Sequence, residues 1–173
     1  MSRDVDDGAD VPSDPSLDRF VGLLDYPMYV VTTYSDGRFA GCLVGFASQT
    51  SIDPPLFLVC LSVQNHTYSV AAQARHLAVH LIARENVALT KLFGEETGNE
   101  IDKFEWCTWH RGAHGMPILD EAVAWFVGTI IERFDVGDHR AFLLSPTAVK
   151  AVATNVPHVT YADVRTLDPG NEP

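Results

Sequence analysis

Apolar and polar positions along the chain change over in short blocks, with the rhythm of strands more than of long helices. "YPMYVVTTY" (Tyr26–Tyr34) is rich in β-branched and aromatic residues and predicts a strand. The turn "SDGR" and the run "FAGCLVGF" follow it, and strand, Asp-Gly turn, strand is the pattern of a hairpin. "PLFLVCLSV" (Pro55–Val63) is apolar on both faces, which predicts a central strand, and "LAVHLIA" (Leu77–Ala83) predicts a fourth. Beyond residue 121, "AVAWFVGTIIERFDVGDHRAFLLSPTAVKAV" predicts two long strands around "DVGD" and then a last one.

Helical signals are few and short. Asp14-Pro15-Ser16 predicts a helix start running through Phe20 to Leu24. "NHTYSVAAQARH" (Asn65–His76) predicts a helix capped by Asn65 or Thr67. "ENVALTKLFG" (Glu85–Gly94) predicts another, with Leu89, Leu92 and Phe93 on one face and Gly94 as its stop. "GEETGNEIDKFEWCTWHRGAHG" is long and irregular, a kind of segment that often carries function. Hairpin-joined strands without a βαβ repeat imply a mainly β fold, an antiparallel barrel with a few short helices. The expected organisation is an acidic disordered leader over 1–16, one domain over 17–152 and a polar C-terminal tail over 153–173.

Composition narrows the function classes. The 173 residues and 19.0 kDa suit a single domain. Net charge is −11, and the first 18 residues hold six Asp against one Arg. Neither the leader nor the remainder offers the basic stripe that nucleic acid requires. No apolar run approaches the roughly 20 residues that span a bilayer, and the N-terminus lacks the features of a signal peptide. No membrane association is therefore expected, and the cytoplasm is the expected location. Cys42, Cys60 and Cys107 are too few and too scattered for a disulfide framework, and Cys42 and Cys60 read as small core residues.

Candidate chemistry centres on "AGCLVGFASQTSIDPPLFLVCL" (Ala40–Leu61), where apolar runs flank Ser48, Gln49, Thr50 and Ser51. This is either a plain connection or a set of hydroxyls and backbone N–H groups gathered for an anion, with Gly41, Gly45 and Ala47 allowing close main-chain approach. Asn65, His66 and Thr67, at a helix start, are either a local cap or part of the same site. His139 opens a strand after a tight turn, as a structural histidine or a site residue. Cys107, His110 and His114 have metal-like spacing without a matching fourth ligand, so no metal site is expected. No P-loop, G-x-G-x-x-G or G-x-S-x-G motif is present, which is informative if a bound cofactor supplies the chemistry.

Five stretches occur in a familiar order: "GCLVGFASQTSIDPPLFLVCLS", "NHTYSVAAQARHLAVHLI", "LTKLFGEETGNEIDKFEW", "GMPILDEAVAWFVGTI" and "VGDHRAFLL". Together they resemble the flavin reductase-like family, the FMN-binding split barrels, over about Leu24–Val149. The resemblance implies a homodimer of six-stranded antiparallel Greek-key barrels that reduces FMN, or FAD, with NADH or NADPH, often to feed a flavin-dependent monooxygenase. It places Gly45, Phe46, Ala47, Ser48, Gln49, Thr50 and Ser51 along the flavin. Asn65, His66 and Thr67 fall near its ribityl-phosphate end, with Lys103 as the cation, and His139 near the nicotinamide. The chain departs from the common pattern at Gly45-Phe46, Ala47, Gln49 and Thr50. Other occupants consistent with the residues are flavin held for electron transfer without turnover, or a deazaflavin or haem in the same barrel.

Overall fold

The computed structural model describes residues 14–151 and 154–170. Helix α1 (Pro15–Gly22) starts at Asp14, whose carboxylate accepts the Ser16 N–H. Strands β1 (Tyr29–Ser35) and β2 (Arg38–Val44) form the expected hairpin. Asp36 and Gly37 both sit at positive φ, 50° and 78°, as a two-residue turn matched to strand twist requires. Then come β3 (Ala47–Ser51), β4 (Leu56–Ser62), α2 (His66–Ala71), β5 (His76–Ile82) and α3 (Val87–Glu95). The short pair β6 (Trp109–Arg111) and β7 (Pro117–Leu119) precedes the long hairpin β8 (Ala122–Val136) and β9 (His139–Lys150), and α4 (Tyr161–Val164) closes the chain.

Seven strands make one antiparallel sheet in the order β2-β1-β5-β8-β9-β4-β3. The sheet curls, so that β2 approaches β4 and inward residues of β1, β2, β4, β5 and β9 share one interior. Val31, Cys42, Val59, Leu61, Leu77, Phe142 and Leu144 fill it and are all buried. A second apolar layer lies outside the barrel, where α3 brings Leu89 and Phe93 against Val30, Ile82 and Leu119. The mainly β barrel with few short helices is as expected. The seventh strand is β3, a segment without the apolar face that marks a strand. The "last strand" expected after "FLL" is the continuation of β9, with a register shift where it pairs with Val127 and Gly128.

The acidic leader lies outside the described residues except for Asp14–Ser16. Within the stretch expected to be a polar tail, residues 157–167 lie against the barrel. Pro157 O accepts from Arg84 N, Val159 N donates to Ile82 O, and Met28 N donates to Val159 O at 3.0 Å. Val159 is fully buried and Val164 nearly so. Val159→Ala should lower unfolding free energy by about 1.5–3 kcal/mol, from the lost methyls and the void they leave, as read by urea denaturation.

His80 is the other buried feature of note. Its Nδ1–H donates to Val30 O at 2.9 Å, and its Nε2 accepts from Leu119 N at 3.2 Å, so both nitrogens of the neutral ring are used. Burial pushes its pKa down to about 4. The unfolded chain takes up this proton near pH 6.5. Between about pH 6.5 and 4 the unfolded state therefore binds more protons, and stability present above that window is lost as pH falls through it. The expected loss is on the order of 3 kcal/mol at pH 4, and His80→Gln should remove that part of the pH slope in urea titrations.

Candidate functional site

The chain kinks between β2 and β3. The Ala47 N–H donates to Gly45 O at 2.9 Å, and Phe46 O accepts from Cys60 N at 2.9 Å, so the turn is tied to β4. Gly45 lets Tyr26 and Met28 pack directly on the main chain, since a Cβ would lie 2.7 Å from Cε2 of Tyr26 and 3.0 Å from the Met28 sulfur and would push these side chains aside. Phe46 is turned outward, and its ring lies 5.1 Å from that of His139. The turn between β8 and β9 delivers His139, whose Nδ1 donates to Asp138 Oδ1 at 2.6 Å. The Val63 N–H donates to Asp138 O, holding this turn to the end of β4.

These elements line an open cavity of about 200 Å³. Four residues singled out from the sequence line it: Gly45, Phe46, Asn65 and His139. So do Tyr26 and Tyr161, which the sequence did not single out, with stacked rings 5.0 Å apart and 13° from parallel. A signal for Tyr161 was present, since Thr160-x-x-Asp163 is a capping box and the structure forms it. No Lys, Arg, Asp or Glu side chain lines this cavity among the described residues.

Strand β3 runs from the kink. It pairs with β4 through Ala47↔Val59, Ser48↔Leu58, Gln49↔Phe57 and Ser51↔Leu56, leaving Thr50 as the extra residue of a bulge. Ser48, Gln49 and Thr50 are exposed. Among the described residues β3 ends the sheet, so its other side carries main-chain N–H and C=O groups without a strand partner. It carries no charged residue, unlike the lysine-guarded edges common elsewhere. Ser48 Oγ and Gln49 Nε2 bond only to nearby main-chain oxygens, at 3.2 and 3.1 Å.

The residues expected near a phosphate divide. Asn65 caps α2 by accepting the Thr67 N–H at 2.8 Å, and Thr67 is buried beside Cys42. His66 and Lys103 line a separate crevice of about 290 Å³, joined by Arg38, another residue missed from sequence. The His66 Nδ1 donates to Asn99 Oδ1 at 2.8 Å, and Gly98 packs so closely on its ring that a Cβ would sit 2.5 Å away. Lys103 is 5% exposed. Its ammonium donates to Gly41 O at 3.1 Å and Phe93 O at 3.2 Å, and burial lowers its pKa. Two of its three donors thus join β2 to α3.

The metal-like trio is dispersed. His110 bonds to Asp120, His114 stacks on His76, and the Cys107 sulfur bonds to Lys103 O. Among the described residues, no three His, Cys, Asp or Glu side chains gather as a metal site. No helix there is long and apolar enough to cross a membrane.

A family model, "flavin reductase like domain", matches residues 21–166. The chain is 33% identical over 120 residues to the FMN reductase (NADH) of Serratia proteamaculans, covering 69% of this chain and 68% of that one. It is 28% identical over 153 residues to a ferric-chelate reductase (NAD(P)H) from Archaeoglobus fulgidus, covering 87% and 89%. It is 28% identical over 122 residues to the reductase component of a flavin-dependent trigonelline monooxygenase from Acinetobacter baylyi, covering 70% of this chain but 38% of that one. Among solved structures, an FMN-binding protein from Thermus thermophilus superposes with a TM-score of 0.72 at 25% identity, covering 87% and 80%.

The two carbonyls on Lys103 give a clear expectation. Lys103→Met should cost at least about 2 kcal/mol in stability, because Gly41 O and Phe93 O lose a buried, charged donor. Urea denaturation reads this. An ammonium serving only a bound phosphate would leave the midpoint in place.

Proposed function

Because the chain belongs to the flavin reductase-like family, we propose that it transfers hydride from NADH or NADPH to FMN, or FAD. The observation that carries this is the unpaired, uncharged edge of β3 beside a cavity lined by rings. The residues fit the group: the open edge offers N–H donors to the polar rim of a flat heterocycle, and among the described residues the neighbouring cavity carries no charged side chain. A flavin, when bound, supplies the hydride acceptor.

The chain's own residues then bind and orient. The main-chain N–H groups of β3 that face away from β4 hydrogen-bond the ring's polar edge and favour negative charge there. Arg38, His66 and the remaining donor of Lys103 concentrate positive charge for a phosphate in the crevice. His139, steadied by Asp138, shapes the place of the nicotinamide next to Phe46. Holding the two rings at reacting distance is the main contribution, so no acid–base triad is needed. The protein acts as a homodimer in the cytoplasm and supplies reduced flavin to a monooxygenase. The similarity to a monooxygenase reductase component supports that last role.

Titration of the protein with FMN and FAD, followed by steady-state assays with NADH and NADPH, tests this. Flavin-dependent nucleotide oxidation well above background is expected, and a background rate would leave only a flavin-holding module. His139→Ala should lower kcat/KM for the nucleotide about tenfold, or about 1.4 kcal/mol, with flavin affinity nearly unchanged. Lost flavin affinity would remove His139 from the nicotinamide side.

A further inference from the structure

We propose that Tyr161, brought in by the C-terminal segment, is a positioning residue for the nicotinamide ring, and that with Tyr26 it forms the wall on which that ring rests. This rests on the hydride-transfer reading above. The cavity, about 200 Å³ and open to the surface, has room for a single flat ring, with the rest of a dinucleotide running out of its mouth. Its lining without Lys, Arg, Asp or Glu suits a neutral, flat group such as a dihydronicotinamide, and a second aromatic pair, Phe46 and His139, lines the same space. Offset stacking on such rings orients a flat group as well as holding it.

The Tyr26–Tyr161 wall is fixed at several points. The Tyr161 N–H donates to Tyr26 O at 2.9 Å. The Asp25 carboxylate accepts from Thr160 Oγ1 at 3.0 Å and from Ala162 N at 2.9 Å. Asp163 accepts from Arg84 at 3.1 Å, and Val159 and Val164 anchor the segment in the core. On the other side, the Tyr26 ring stops against the bare main chain of Gly45. A ring gripped this way is set before ligand arrives, so binding orders little else.

The test is steady-state kinetics with NADH and FMN on the wild type, Tyr161→Ser and Tyr161→Phe, with FMN affinity and melting temperature measured on each. Tyr161→Ser should raise the NADH KM five- to tenfold while FMN affinity stays within twofold, and Tyr161→Phe should restore the KM. A folded Tyr161→Ser protein with unchanged KM overturns the inference, as does a Phe variant as impaired as the Ser variant. If the Ser variant melts below the assay temperature, Tyr161→Leu, which keeps apolar volume without a ring, is judged by the same KM criterion. A wild type that shows no FMN-dependent NADH oxidation overturns the underlying function as well, which separates the two failures.

Discussion

A strand that pairs with a neighbour on one side only leaves main-chain N–H and C=O groups without a strand partner along the other, and among the described residues β3 is such a strand. Everything proposed for the site depends on that edge. Sheet edges usually carry lysine, proline or a covering helix to prevent pairing with another chain. Here the residues are Ala47, Ser48, Gln49, Thr50 and Ser51, and a bulge at Thr50 breaks the regular register. Such an edge is suited to a flat polar ligand, because the donors are fixed by β4 before anything binds.

The kink at Gly45 joins this edge to the cavity. Barrel closure needs β2 to stop and the chain to cross to β4, and the turn at Gly45–Ala47 accomplishes this in three residues. The same turn places bare main chain against Tyr26 and swings Phe46 out toward His139. A packing requirement of the barrel and the shape of the site are thus met by one glycine. Lys103 shows a comparable overlap: its buried ammonium bridges β2 and α3, and the same side chain lines the crevice beside His66.

Much of the barrel was legible in the sequence, for physical reasons. The Asp36-Gly37 turn between β-branched runs fixes its hairpin locally, and the apolar run Pro55–Val63 announces a strand, though β4 is fully buried only on its inward face, at Val59 and Leu61, and half-buried on the other. β3 was not legible as a strand, because pattern reading needs one apolar face and Ser48, Gln49 and Thr50 offer none. The docking of residues 157–167 was missed because it depends on two apolar anchors, Val159 and Val164, and on main-chain bonds to Met28, Ile82 and Arg84 that no local pattern announces. Gly45, Phe46 and His139 line one cavity. His66 and Lys103 also meet, but in a separate crevice, while Asn65 caps α2 through the Thr67 N–H and lines the first cavity.

The stacked tyrosines also order events during synthesis. Tyr26 emerges from the ribosome early and packs against a glycine only 19 positions later, yet its stacking partner, Tyr161, lies 135 positions further on. Growing chains fold from the N-terminal side as they lengthen, so the barrel strands are all available before Tyr161 leaves the exit tunnel. The ring-lined chamber is consequently completed only after the barrel strands, and a nascent barrel carries it with one wall missing.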